Sequence, residues 1–195
     1  MNHLFRMLAA AAALFLTACL PVSTTSPVGT TAGLGSDPTL IGMWHGETGE
    51  GKPCYIIFFP EEDSTIKALV FAPPARNDKS GWDAYGVRTA AFGSRHYMNV
   101  EPIESNGKTV DSKVAKPNFP VLYTIDGKGG LTLWLIDEDA AKGAIKSGRI
   151  AGRIEPGDFG DVILTAAPAA LDAFFASDAG RALFKKPFAA LRRVP

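Results

Sequence analysis

The sequence predicts a mainly β domain, an antiparallel meander that closes into a small barrel, with a two-layer β-sandwich as the alternative. Residues 39–136 contain seven short stretches rich in β-branched and aromatic residues, separated by Gly, Pro, Asn and Asp. The turn sequence 126–130, DGKGG, stands between two apolar runs and is typical of a hairpin. A barrel is favoured over a sandwich because closure removes exposed strand edges.

The seven predicted strands occupy residues 40–46, 54–59, 65–71, 84–92, 96–103, 121–125 and 131–136. A short helix is predicted next, at 138–147, because acidic residues at 137–139 suit a helix amino terminus and Gly148 suits its end. Two further strands are predicted at 149–155 and 161–165, joined by a Pro-Gly turn.

A second short helix is predicted up to about residue 176, with Thr165 as its cap and Pro168 in its first turn. Leu171, Phe174 and Phe175 are spaced three and four residues apart, so they form one apolar stripe that should lie on the sheet or close one end of a barrel. A last strand is predicted at 188–194. The domain therefore combines the barrel with two short helices.

The amino-terminal run Leu16-Thr17-Ala18-Cys19 resembles the lipobox of bacterial lipoproteins. It follows one basic residue and an apolar stretch at 7–16, which is the pattern of a secretory signal and is too short to span a bilayer. The resemblance implies removal of residues 1–18 and acyl chains such as palmitate on Cys19, enough for stable anchoring. Leu20, where a retention signal would have aspartate, implies the outer membrane, and we expect its periplasmic face. The alternative is an ordinary secretory signal in which Cys19 is incidental.

Residues 19–38 are predicted to be a lipidated, flexible tether, because they are rich in Ser, Thr, Gly and Pro; about 18 such residues have a mean reach of roughly 25 Å. Residues 39–195 then form a single domain. With Cys19 lipidated, Cys54 is left alone and no intrachain disulfide is expected. The chain carries 20 basic and 20 acidic residues, which does not favour nucleic acid as a partner.

The motif Gly42-Met43-Trp44 resembles the G-x-W signature of lipocalins and other calycin barrels. The resemblance implies that the tryptophan packs across the barrel floor against an arginine near the chain end, here Arg192 or Arg193. It also implies a calycin-like barrel able to hold a small apolar or amphipathic ligand.

Four aromatic residues are therefore candidate ligand contacts: Trp44, Trp82, Tyr85 and Trp134. Two of them lie in the glycine-flanked stretch 81–86, which is predicted to be a binding loop or else a loop anchored by a core residue. The partner is expected to be an apolar small molecule or an envelope protein, in addition to the membrane itself.

No enzyme motif, metal-ligand cluster or cofactor fingerprint is evident, so we predict a non-enzymatic protein without a metal or cofactor. Two alternatives remain. Cys54 could act as a nucleophile with His45 or His96 as base in an envelope hydrolase or transferase, although its apolar neighbours favour a buried strand position. The chain could also be a structural lipoprotein that assists assembly or secretion. His45, Glu47 and His96 are the weak candidates for a metal site.

Overall fold

A computed structural model describes residues 22–61, 65–71, 81–105, 107–110, 117–156 and 161–195. The eight main strands are β2 (Gly42–Thr48), β3 (Pro53–Pro60), β4 (Ile66–Phe71), β5 (Trp82–Phe92), β6 (Arg95–Ser105), β8 (Phe119–Ile125), β9 (Gly130–Leu135) and β12 (Pro187–Arg193). The short strands are β1 (Val22–Thr24), β7 (Lys108–Thr109), β10 (Gly152–Ile154) and β11 (Val162–Leu164). The helices are a 3-10 turn (Pro38–Leu40), α1 (Glu138–Lys146), α2 (Pro168–Ala176) and α3 (Asp178–Arg181).

The eight main strands form a closed antiparallel barrel in the order β5-β4-β3-β2-β12-β9-β8-β6, and pairing of β5 with β6 completes the ring. The prediction of a mainly β fold with a small barrel is confirmed, and the sandwich is not formed. β7 pairs only with the last residues of β6, and β1, β11 and β10 form a separate three-stranded sheet. Two of the three α-helices were predicted, whereas the four-residue α3 was not.

The barrel strands alternate between an inner and an outer face, and the inner side chains fill the interior. On β3, Cys54, Ile56 and Phe58 point inward and are buried, whereas Tyr55 and Phe59 point outward and are exposed. Antiparallel pairing keeps directly opposed residues on the same face, so the inner residues of all eight strands meet in one core. The interior is therefore a packed core like that of other small barrels.

A second hydrophobic core lies outside the barrel, where the small sheet and the helices cover β6, β8 and β9. Tyr97 of β6 is fully buried there, with its ring centroid 5.5 Å from that of Phe175, and its hydroxyl donates to the Phe175 carbonyl at 3.0 Å. Leu171, Phe174 and Phe175 all belong to this core, so the predicted stripe of α2 packs on the sheet. The predicted cap is wrong: α2 begins at Pro168 after Ala167, and Thr165 instead pairs its backbone with Ala151.

The segment expected to be a flexible tether is folded from Val22 onward, and we call residues 22–40 the strap. β1 pairs in parallel with β11, and Thr24 also pairs with Asn118 beside β8. Val28 is fully buried; its amide donates to Asn99 Oδ1 at 2.6 Å and its carbonyl accepts from Asn99 Nδ2 at 2.7 Å. The tether prediction is wrong for this segment, because side chains of the barrel satisfy its backbone polar groups, a source of order that Ser, Thr and Gly composition does not reveal.

Asp172 of α2 holds the next part of the strap. Its carboxylate is buried and accepts from the amides of Gly29 and Thr31, at 2.6 and 2.8 Å, and from the Thr31 hydroxyl. The strap then crosses β5 through a two-hydrogen-bond bridge between Gly35 and Thr89. It reaches the end of the barrel where β2 begins and β12 ends, which we call the strap end.

Candidate functional site

Trp44 closes the strap end of the barrel from the inside. Its side chain is fully buried, and its indole Nε1 donates to the Leu40 carbonyl at 2.7 Å. The Arg193 guanidinium lies 4.4 Å from the centre of the indole and donates to the carbonyls of Thr39 and Ile41. This is the tryptophan–arginine contact implied by the calycin resemblance; it is formed by Arg193, whereas Arg192 pairs with His45 on the outer face of β2. The contact joins a cation–π interaction to two charge-assisted hydrogen bonds, so the role of Trp44 is structural.

The glycine of the G-x-W motif makes room for this arginine. Gly42 has φ +127°, a conformation that other residues rarely adopt, and a Cβ built on it would lie 2.7 Å from Arg193 Nη1. The backbone angle therefore favours glycine here, whereas the guanidinium, at the end of a flexible side chain, could shift to make room for a Cβ.

A groove of about 710 Å³ lies at the strap end, between the strap and the barrel strands β5, β6 and β8. Its apolar surface comes from small and aliphatic side chains, among them Ala91 and Ile125. Its polar side chains are those of Ser36, Asp37, Thr39, Thr89, Ser94, His96, Tyr123 and Thr124. The strap forms one wall, so the groove exists only because residues 33–39 are folded onto the barrel.

The best-defined polar contacts in the groove link the strap to β8. Asp37 accepts a 2.7 Å hydrogen bond from the Tyr123 hydroxyl and a 2.9 Å bond from the Thr39 amide. Burial raises the pKa of Asp37, but hydrogen bonds from Thr39 and Tyr123, together with the nearby charge of His96, outweigh it and hold that pKa below its usual value. Burial and the bond to Asp37 raise the pKa of the Tyr123 phenol. The groove thus holds an ionised carboxylate, a protonated phenol and an imidazole, with the rings of His96 and Tyr123 centred 5.6 Å apart.

At the opposite end of the barrel, Asp83 is a buried carboxylate on the inner face of β5. It is 3% exposed, it pairs across the sheet with Val70, and its Oδ1 has no hydrogen-bond partner among the groups that the structure describes. A buried polar atom without a hydrogen bond destabilises a fold. Sequence reasoning missed Asp83; the available signal was that it is the one acidic residue of β5, between Trp82 and Tyr85.

The four predicted ligand contacts do not line one pocket. Trp44 is sealed inside the strap end, and Tyr85 packs against the inner core. Trp134 lies outside the barrel against the second core, with the Arg181 guanidinium 5.9 Å from its ring centre. Trp82 is half-buried at the start of β5, opposite Phe71. Residues 82–86 of the predicted binding loop belong to β5 and so form part of the barrel wall.

The candidate nucleophile Cys54 does not meet a histidine base. Its side chain is buried inside the barrel, and burial raises the pKa of its thiol to about 11, so the thiolate is scarce at neutral pH. His45 pairs with Tyr55 and therefore lies on the outer face, whereas Cys54 pairs with Gly46 on the inner face. His96 lies at the strap end of the barrel, and Cys54 lies near the other end. The arrangement gives no support to a cysteine–histidine mechanism.

The weak metal candidates are likewise apart, with His45 and Glu47 on the outer face of β2 and His96 in the groove. Within the described ranges, no group of three or more His, Cys, Asp or Glu side chains is placed to hold a metal ion.

Comparisons with protein-family models, with curated proteins and with solved structures gave no significant match. Within the part of the chain that the structure describes, no helix is both long enough and apolar enough to cross a bilayer. Residues 1–21, which include Cys19 and the lipobox, lie outside that part.

Proposed function

We propose that this protein is a lipid-anchored bacterial envelope lipoprotein, held on the periplasmic face of the outer membrane, that binds a small amphipathic ligand in the groove under its strap. The observation that carries the ligand proposal is the groove itself. At about 710 Å³ it falls within the range of roughly 300–1,000 Å³ typical of small-molecule sites. Its lining is mostly polar side chains and glycine, with Ala90, Ala91 and Ile125 as the apolar part, so it suits a ligand that is polar over most of its surface and apolar over a small part.

The ligand binds outside the barrel interior, because the interior is filled. Trp44 and Leu131 are fully buried there, and Met98 is 2% exposed, so an apolar cargo would have to displace packed side chains. The groove offers hydrogen-bonding groups instead. An ionised Asp37 disfavours an anionic head group, so we expect a neutral or cationic polar head beside Asp37 and His96 and a short apolar part over Ala91.

Native mass spectrometry of protein purified from a bacterial periplasm tests the groove. We expect a bound mass that disappears on denaturation and is lost in Ala91→Trp, which fills the groove. The control is Ala190→Trp, because Ala190 is an exposed strand position outside the groove. A bound mass that survives Ala91→Trp would place the ligand elsewhere, and a parent protein without any bound mass would refute a resident ligand.

Lipid attachment is tested separately at Cys19. Metabolic labelling with a palmitate analogue should label the parent protein and not Cys19→Ser, and the variant should leave the membrane fraction because it lacks acyl chains. Labelling of both proteins, or of neither, would contradict the anchor.

A second candidate function is the recognition of an envelope protein, including an assembly or secretion partner. It is favoured by three large apolar side chains exposed on the outer faces of β2 and β3: Met43, Tyr55 and Phe59 are 39%, 46% and 42% exposed. A photo-crosslinking residue at position 55 should capture a discrete envelope protein, and the same residue at the exposed position 128 should not. Equal background capture at both positions would count against this function.

A further inference from the structure

A packed strand lies within three positions of the proposed lipid-bearing residue. β1 starts at Val22, only three positions after Cys19, and its residues are 3%, 9% and 1% exposed. β1 is held on one side by β11 and on the other by Asn118, whose carbonyl accepts from the Thr24 amide at 2.8 Å. Val22 belongs to the second core, so β1 cannot detach from the domain without exposing this apolar side chain to water.

Chain length then limits the distance between the domain and the lipid. An extended chain covers at most about 3.6 Å per residue, so the Cα of Cys19 lies within roughly 11 Å of that of Val22. The polar region on each side of a bilayer is itself about 5–8 Å thick. What remains is too short to hold the domain clear of the head groups, in contrast to the roughly 25 Å reach of a free 18-residue tether.

Strand order identifies the side of the barrel that carries this attachment. β1 contacts β8 and continues the small sheet through β11 and β10. We call this side, β8 together with β1, β11 and β10, the anchor flank. In the ring of eight strands, β3 is four steps from β8 in either direction, so its outer face lies on the opposite side of the barrel.

We infer that the strap seats the barrel directly on the bilayer by the anchor flank and turns the outer face of β3 away from the lipid. The inference rests on the proposed attachment of lipid at Cys19 and adds an orientation to it. Its surface partner is the lipid head-group layer. The exposed side chains Tyr55 and Phe59 consequently face the aqueous phase, where lipid cannot cover them.

The test places one fluorophore on each side of the barrel in the acylated full-length protein. Arg153→Cys labels the anchor flank, where the Arg153 side chain is 63% exposed, and Tyr55→Cys labels the opposite side. Native Cys54 should not react, because it is buried and burial raises the pKa of its thiol to about 11. The proposed thioether blocks the Cys19 sulfur. Each labelled protein is reconstituted into phosphatidylethanolamine–phosphatidylglycerol vesicles that contain a lipid with a nitroxide on its head group.

We expect the label at position 153 to be quenched several-fold more strongly than the label at position 55. A Gly-Ser insertion of about nine residues between Pro21 and Val22, with a mean reach of roughly 17 Å, should abolish the difference. The same insertion between Gly127 and Lys128, in an exposed hairpin turn, should preserve it.

Equal quenching at the two positions in vesicle-bound parent protein would overturn the inference, as would a difference that survives the insertion before Val22. Lipid attachment is judged independently by flotation of Cys19→Ser with the same vesicles. If the variant floats as the parent does, the proposed anchor fails. If only the parent floats and its two labels are quenched equally, the anchor stands and the orientation fails.

Discussion

Removing the carboxylate of Asp172 should release the strap from the barrel, because this one side chain satisfies two backbone amides and one hydroxyl of residues 29–31. Asp172→Ala leaves the Gly29 amide without a partner in a buried position, which costs about 2 kcal/mol. The two contacts of Thr31 are partly buried, so water can replace them, and their loss adds about 1 kcal/mol. The expected destabilisation is therefore about 3 kcal/mol.

Two milder variants separate the contributions of the individual hydrogen bonds to this destabilisation. Thr31→Val removes only the hydroxyl contact and should cost about 1 kcal/mol, whereas Asp172→Asn keeps one acceptor and should cost an intermediate amount. The matched control is Asp139→Ala, the same substitution at an exposed position in the first turn of α1, where losing a favourable helix-dipole interaction costs about 0.5 kcal/mol.

Urea unfolding measures the free energies, and hydrogen exchange at the Val28 and Gly29 amides reports the strap itself. We expect exchange at these amides to accelerate far more in Asp172→Ala than exchange in the barrel strands. A loss of stability below about 0.5 kcal/mol in Asp172→Ala, or exchange that is uniform across the protein, would refute the idea that the strap is held by this carboxylate.

Three further outcomes are expected. Arg193→Ala should lower the free energy of unfolding by about 1–2 kcal/mol, because its contacts are open to solvent, and should alter Trp44 fluorescence. Arg192→Ala, on the outer face of β12, should change that free energy by less than about 0.5 kcal/mol. Similar losses in the two variants would show that the contact with Trp44 does not stabilise the protein. Cys54 should resist thiol reagents at pH 8 until urea is added, and rapid labelling of the native protein at pH 8 would contradict its burial. The free energy of unfolding should fall as pH rises above about 9, because the thiol of the unfolded chain ionises there while the folded thiol stays protonated up to about 11. Asp83→Val should raise the free energy of unfolding in urea by about 1 kcal/mol, because it removes a buried oxygen that has no hydrogen-bond partner among the described groups. A loss of stability would reveal a partner for that side chain.

The barrel strands could be predicted because their residues repeat the signals of strands at every level. On β3, residues 54–59 are a continuous run of apolar residues, several of them β-branched or aromatic, so length and propensity agree. Helix α1 was equally readable, because Asp137 accepts from the Ala140 amide as a helix cap and Gly148 follows the last turn with φ +69°.

The strap and the groove could not be predicted, because their order comes from contacts distant in sequence. Val28 pairs with a side chain 71 positions away, and Gly29 with one 143 positions away. The sequence signals for these contacts were Asn99 inside a strand and Asp172 inside an otherwise apolar helix. Polar residues at buried positions need hydrogen-bond partners, so both residues indicated that some other segment packs against them. The stretch 81–86 was misread for a local reason, since its glycines suggest a loop although tertiary pairing places residues 82–86 in β5.

The position of β12 between β2 and β9 affects the order in which the barrel can fold. β12 fills the space between β2, the first barrel strand in chain order, and β9, the seventh, and Arg193 binds a carbonyl 152 positions earlier. Until residues 187–193 are available, β2 and β9 each present an unpaired edge, and the indole of Trp44 lacks its covering guanidinium. The ring thus completes only once residues 187–193 are present, and pairing across so many residues makes that step slow. A chain cut before Pro187 would carry two open edges ready to pair with another copy.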